Sequence, residues 1–312
     1  MKNPLRKRIP RELKSEIGKY LVIFLLMLGT IGMVSGFLVA DGSMIKAYNE
    51  SFEKYNIEDG NFRTGEKVYR GQREAMEEQG IKIYENYYIE EALTNGSTMR
   101  FFKNRDEVDK VCIMEGRLPK TTGEIAIDRM YADNNSLKIG DTLSSGDKTW
   151  KIAGLIALSD YSALFQNNND SMFDAVKFGV SVVTPEEFDS LDQEKLQYNY
   201  SWIYDKKPKD EKEEKEVSED LMKEMGKVVT LENFVPRYQN QAIIFTGDDM
   251  GGDKAMMVML LYIVIAIMAF VFGITTGNTI TKEAGVIGTL RASGYTGNEL
   301  IRHYMTLPVL VT

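Results

Sequence analysis

The residues of this 312-residue chain best placed to do chemistry lie between Thr281 and His303. The stretch reads Lys282-Glu283-Ala284-Gly285-Val286-Ile287-Gly288-Thr289-Leu290-Arg291-Ala292-Ser293-Gly294-Tyr295. Ile280, Ala284, Ile287 and Leu290 recur at the spacing of one helix face. Gly294 suits the left-handed turn that ends a helix. Thr296-Gly297-Asn298-Glu299 has the form of a capping box, which starts another at Leu300. The chemistry such a helix performs is docking. It either lies on lipid or enters a groove on a partner. Only two basic side chains, Lys282 and Arg291, fall between positions 282 and 291, so attraction to anionic lipid is weak and a protein partner is favoured.

Catalytic and metal chemistry find little support elsewhere. One cysteine, Cys112, allows no intramolecular disulfide and no Cys-based metal site. Set between Val111, Ile113 and Met114, it reads as a small buried hydrophobe. One histidine, His303, leaves no His cluster. The chain lacks GxxxxGK[ST], HExxH and GxSxG. We therefore expect no enzyme and no cofactor. Asn167-Asn168-Asn169-Asp170 lacks the spaced carboxylates and turn glycine of a calcium loop and reads as a plain loop.

The elements that must position the docking stretch come from hydropathy. Mean hydropathy is -0.27, yet two uncharged runs stand out. Tyr20–Ala40 has the length, about 30 Å as a helix, of a bilayer's hydrocarbon core. Ala255–Thr281 is longer still and can span with tilt. The first run exceeds the roughly 7–15 apolar residues of a signal peptide and has no A-x-A-like site after it, so a retained anchor is expected. Residues 1–19 carry Lys2, Arg6, Lys7, Arg8, Arg11, Lys14 and Lys19 against Glu12 and Glu16, which keeps this end in the cytoplasm. Residues 41–254 hold 28 basic and 42 acidic side chains and lie outside. Gly32-x-x-x-Gly36 and Gly273-x-x-x-Gly277 have the small-residue spacing that lets membrane helices approach closely.

The expected layout is therefore residues 1–19 as a basic cytoplasmic end and 20–40 as the first span. Residues 41–254 form an α+β extracytoplasmic domain with helical stalks, inserted between transmembrane α-helices. The second span is 255–281, the cytoplasmic coupling loop 282–302, and 303–312 the unfinished start of a third span. Within the outer domain, a helix ending at Gly80 is followed by a strand from Ile81. Asn95-Gly96 marks a hairpin, and Ile125–Ile127 is a short strand. Thr142–Ser144 and Thr149–Leu158 pair around Gly146. Lys177–Thr184 is a strand, and Thr184-Pro185 opens a helix. The charged run 205–220 is the solvated start of a surface helix.

Ile287-Gly288-Thr289-Leu290-Arg291-Ala292-Ser293-Gly294 resembles the segment after the second transmembrane helix of FtsX-like ABC transporter permeases, the MacB-type superfamily. The outer domain is similar to that family's core in four ordered pieces. These are Gly116-Arg117-Leu118-Pro119, Gly123-Glu124-Ile125-Ala126-Ile127, Leu137-Lys138-Ile139-Gly140-Asp141 and Trp150-Lys151-Ile152-Ala153-Gly154-Leu155. Two departures stand out: Val286 occupies a position that is often acidic in the family, and four spans form the family's unit.

The resemblance implies a permease subunit in a plasma membrane, of bacterial type. Its partners would be a separate cytoplasmic ABC ATPase, membrane lipid and a second permease half, in a homo- or heterodimer, with no nucleic acid. The ATPase would touch Glu283, Ile287, Gly288, Leu290, Arg291, Ala292 and Gly294, while Gly32, Gly36, Gly273 and Gly277 pack transmembrane helices. ATP hydrolysis would drive export, lipophile extraction or mechanical signalling. The competing layout is a bitopic sensor with an outer ligand-binding domain. It requires a long output region after the second span, where this chain has a short loop and a new apolar run.

Overall fold

The structure, a computed structural model, describes residues 4–311. Lys2 and Thr312, and the side chains of Arg6 and Pro308, lie outside the described residues. The chain forms two bodies, one of Lys46–Asp249 and one of the segments up to Ile45 and from Met250.

In chain order, α1 (Pro4–Ser15) and the long α2 (Ile17–Lys54) come first. Then follow β1 (Gly60–Thr64), α3 (Arg70–Glu77), β2 (Ile81–Glu85), β3 (Tyr88–Ala92), β4 (Thr98–Lys103), β5 (Val111–Gly116), β6 (Glu124–Asp128) and α4 (Arg129–Asn134). After them come β7 (Thr142–Ser145), β8 (Lys148–Leu158), β9 (Phe178–Val183), α5 (Pro185–Ser190), β10 (Tyr198–Tyr204), α6 (Glu211–Met225) and β11 (Leu231–Pro236). The chain continues through α7 (Gln241–Lys282), α8 (Ala284–Ala292) and α9 (Gly297–Val311).

The strands build two sheets. One has the order β11-β1-β10-β2 and is antiparallel throughout. The other has the order β3-β4-β9-β6-β8-β5, with β7 paired to β8, and mixes parallel and antiparallel neighbours. The domain is thus mixed α and β, flanked by two helices long and apolar enough to cross a membrane. The α+β expectation holds.

The side-chain period of two explains the four-stranded sheet. Phe62, Tyr200 and Phe234 oppose one another in register. The rings of Phe62 and Tyr200 stack at 5.1 Å. This face buries Met76 of α3 and Leu221 and Met225 of α6. The residues between them point to the opposite face, where Arg63 stands between Asn199 and Asn233. The larger sheet buries Phe101, Ile125, Ile127, Trp150, Ile156, Val180 and Val182 in a second core.

The four sequence pieces that suggested the resemblance meet in that core's frame. Arg117 binds Glu124 through two hydrogen bonds, of 2.8 and 2.5 Å. This ion pair, with the Lys120 backbone N–H, holds the Glu124 carboxyl down to about 2. Lys138 N–H donates to Asp141, and Gly140 N–H to the Ile152 carbonyl. Trp150 Nε1 donates to Glu187, whose other oxygen accepts from Gly123 N–H. Where β5 leaves β8, the chain crosses so closely that a Cβ on Gly154 would stand 2.3 Å from the Arg117 carbonyl oxygen. No side chain fits there.

In the other body, the apolar runs of α2 and α7 are almost bare. Val22, Leu25, Leu28 and Ile31 are each more than half exposed, as are Met259, Ile265 and Phe270. A soluble surface rarely tolerates a continuous apolar belt on this scale, whereas a bilayer accepts it without cost. Hydropathy and exposure both mark these two helices as candidate membrane spans.

Gly154→Ala is expected to destabilise the outer domain by about 1–3 kcal/mol, because the backbone of Arg117 cannot move aside cheaply. Gly71→Ala, at an exposed position of α3 with open space for a Cβ, is expected to stay within about 0.5 kcal/mol. Thermal unfolding of the two variants followed by circular dichroism checks this; equal melting temperatures would contradict the packing argument.

Candidate functional site

The stretch after α7 forms the helix its periodicity predicts, closed by a cap at its C-terminal end. After α8, Gly294 adopts φ +93. Tyr295 N–H reaches the Leu290 carbonyl and Gly294 N–H the Arg291 carbonyl, both at 3.1 Å. This is the double bond pattern of a Schellman cap. The next helix starts on the expected capping box. Glu299 N–H donates to Thr296 Oγ1, and the Glu299 carboxylate accepts from Thr296 N–H at 2.8 Å. The loop is therefore held by its own backbone and presents a defined surface.

The named residues sort by exposure. Gly288, Arg291, Ala292 and Gly294 are exposed, and Ile287 and Leu290 are half-buried. Glu283 stands apart from them. It occupies the break between α7 and α8, and its carboxylate accepts two hydrogen bonds from Arg8 Nη2, at 2.8 and 3.0 Å, and one from Tyr304 OH at 2.5 Å. Arg8 also pairs with Glu12 at 3.1 Å, and Glu12 lies 3.4 Å from His303 Nε2. Glu283 thus ties α1 and α9 to the break, and it is engaged within the chain. Arg8, Glu12 and Tyr304 carry this brace although sequence reading did not single them out. The available signal was Glu283 itself, a lone acid in a loop near a basic helix.

The glycines at Gly32, Gly36, Gly273 and Gly277 face open space. A Cβ built on any of them meets no atom within 4 Å. Within the described residues no helix packs on them.

A second polar arrangement lies in the body of Lys46–Asp249 and was not read from the sequence. Glu58 follows α2, Asn86 joins β2 to β3, Arg105 and Asp109 lie between β4 and β5, Asp160 follows β8, Ser201 is in β10, and Asn240 precedes α7. All are buried. Arg105 clasps Asp160 through two bonds, of 2.8 and 2.7 Å. Ser201 Oγ lies 2.5 Å from Glu58 Oε2 and 2.9 Å from Asp109 Oδ2. A hydroxyl has one proton to donate. Both contacts become hydrogen bonds only when one carboxyl is protonated and donates back. Burial first, then the Asp160 carboxylate, push Glu58 up to about 7. Burial, then Glu58, push Asp109 well above the usual carboxylate range. Geometry and electrostatics agree that this cluster holds a proton.

No family model matches the chain, and no curated protein matches it. Among solved structures, the periplasmic region of MacB from Actinobacillus actinomycetemcomitans is similar at a TM-score of 0.30 and 8% identity. The match covers 54% of this chain and 83% of that one.

A folded-state Glu58 raised above its unfolded value of about 4.5 stabilises the domain below that value, and this contribution is lost as pH rises through about 7. The melting temperature of the outer domain is therefore expected to fall by several degrees between about pH 5 and pH 8. In Glu58→Gln, which keeps the shape without the charge, the slope flattens. An unchanged slope in that variant would remove Glu58 from the account.

Proposed function

We propose that this chain is a permease subunit of an ABC transporter of the FtsX-like, MacB type, docking a separate cytoplasmic ATPase through α8. One observation carries the reading: α8 is a short helix ended by a Schellman cap, set between the long apolar α7 and a further helix, with Gly288, Arg291 and Ala292 exposed. A short, partly apolar helix with a capped C-terminal end suits a protein groove. The motif order in the outer domain and the span–domain–span layout support the same reading. In this proposal the amino end and residues 282–302 are cytoplasmic and residues 41–254 extracytoplasmic, in a plasma membrane. A second permease half supplies the surface that covers the bare glycines of α2 and α7. Hydrolysis by the ATPase then serves export, lipophile extraction or mechanical signalling.

The long helices suit coupling. α2 and α7 each continue past the apolar run into the outer domain without a helix break, as 38 and 42 residues.

The test is copurification of nucleotide hydrolysis with the affinity-tagged full chain from its own membranes. Arg291→Glu and Leu290→Asp are expected to lower coeluting ATPase activity by about tenfold or more, a loss of at least about 1.4 kcal/mol of association. Membrane insertion of the chain should be unchanged. Activity that coelutes equally with both variants sinks the docking assignment.

A further inference from the structure

The outer domain holds an open-sided cavity of about 500 Å³ whose occupant nothing above supplies. That volume falls within the roughly 300–1,000 Å³ of small-molecule sites. Its floor is the polar face of the four-stranded sheet. Asn61 and Arg63 of β1, Asn199 of β10 and Asn233 of β11 line it, with Arg63 in register between Asn199 and Asn233. The wall opposite includes the loop after β8, with Gln166 and Asn169. The Asn167–Asn169 triplet, a plain loop by sequence, is thus part of a concave surface.

The lining is amide-rich and its charged side chains already have partners within the domain. Arg63 pairs with Glu232 at 3.1 Å, and Arg100 with Glu90 at 2.5 Å. Glu58 accepts from Asn61 and Asn240, and Asp160 is clasped by Arg105. Arg63 and Arg100 leave no free positive charge for an anion, and the buried Glu58 already accepts from Asn61 and Asn240. Three amides are different. The side chains of Asn169, Asn199 and Asn233 make no hydrogen bond among the described residues. Each offers two N–H donors and a carbonyl acceptor. A row of neutral groups that both donate and accept matches a ligand made of hydroxyls, which do the same. A peptide would also need apolar pockets for its side chains. Of the rings along the cavity, Tyr88, Phe102 and Phe165 are buried and Tyr161 and Phe234 half-buried.

We propose that this cavity binds a neutral saccharide of one or two rings, held by Asn199, Arg63 and Asn233 from the sheet and by Asn169 from the loop. The site has a direct link to the long helix that follows. Asn168 accepts from Gln241 N–H at 2.9 Å, and Gln241 Nε2 donates to the Asn168 carbonyl at 2.8 Å, so the loop caps the start of α7. The proposal does not rest on the ATPase reading and survives its failure.

The experiment uses the full chain in lipid nanodiscs, prepared without sugar detergents. Maltose, cellobiose and diacetylchitobiose are titrated by calorimetry and saturation-transfer NMR, with triglycine as the peptide probe. At least one disaccharide is expected to bind saturably. Asn199→Ala and Asn233→Ala are each expected to weaken it by about tenfold, the scale of one good hydrogen bond. Asn233 is exposed, so its variant should melt with the parent and report on binding alone. Three outcomes overturn the proposal: no disaccharide binds, the bound one is insensitive to both variants, or triglycine binds with equal affinity and the same sensitivity.

Discussion

The sheet domain of Lys46–Asp249 depends on burying three carboxylates with a single arginine among them. Glu58, Asp109 and Asp160 sit with Arg105 at the place where both sheets and the ends of both long helices converge. Ion desolvation costs several kcal/mol per charge, and only close pairing offsets it. Asp160 is offset by a two-bond clasp from Arg105. The other two acids have no cation of their own. They rely on Ser201, Asn61, Asn86, Asn240 and the Glu58 backbone N–H, which donates to Asp109 at 2.8 Å. Neutral donors stabilise a carboxylate less than a guanidinium does, so retention of a proton is the cheaper solution. This constraint fixes where the segments around residues 58, 86, 109, 160, 201 and 240 must meet.

Local signals in the sequence were legible, and long-range ones were not. The Asn95-Gly96 hairpin forms with Tyr88 opposite Phe102, and Thr184-Pro185 caps α5 through Thr184 Oγ1. Such features depend on neighbours a few residues away. The four-stranded sheet was missed apart from β2. β1 is a five-residue strand starting at Gly60, and β11 follows a helix without a turn signal of its own. β10 did carry a signal: Tyr200, Trp202 and Tyr204 alternate with Asn199, Ser201 and Ile203. That alternation also explains why the polar face exists. Its partners come from positions far away in the chain, so no window of sequence shows that Asn199, Arg63 and Asn233 stand in a row.

The docking stretch divides the same way. Gly294 and the Thr296–Glu299 box could be read because a cap is complete within six residues. The role of Glu283 could not be read, because Arg8 lies 275 positions away. A charged side chain in a loop looks available until its partner is known. Here the partner is inside the chain, which leaves Arg291 and the small residues around it as the surface α8 offers.

Both long helices end in the buried cluster. α2 finishes at Lys54, and the chain reaches Glu58 within one turn of backbone; α7 begins at Gln241, next to Asn240. Asn240 donates to Glu58 at 3.2 Å, so one carboxylate binds the segments at both helix ends. Tyr48 of α2 further donates to the Ile243 carbonyl of α7 at 3.0 Å. The cavity shares Glu58, Asn86, Asp160 and Asn240 with this cluster. Occupancy of the cavity and protonation of Glu58 are therefore not independent: a polar ligand that adds a donor near Glu58 stabilises its charged form, and a charged Glu58 strengthens that donor's bond. The same few side chains hold the sheets together, anchor the helices and line the cavity.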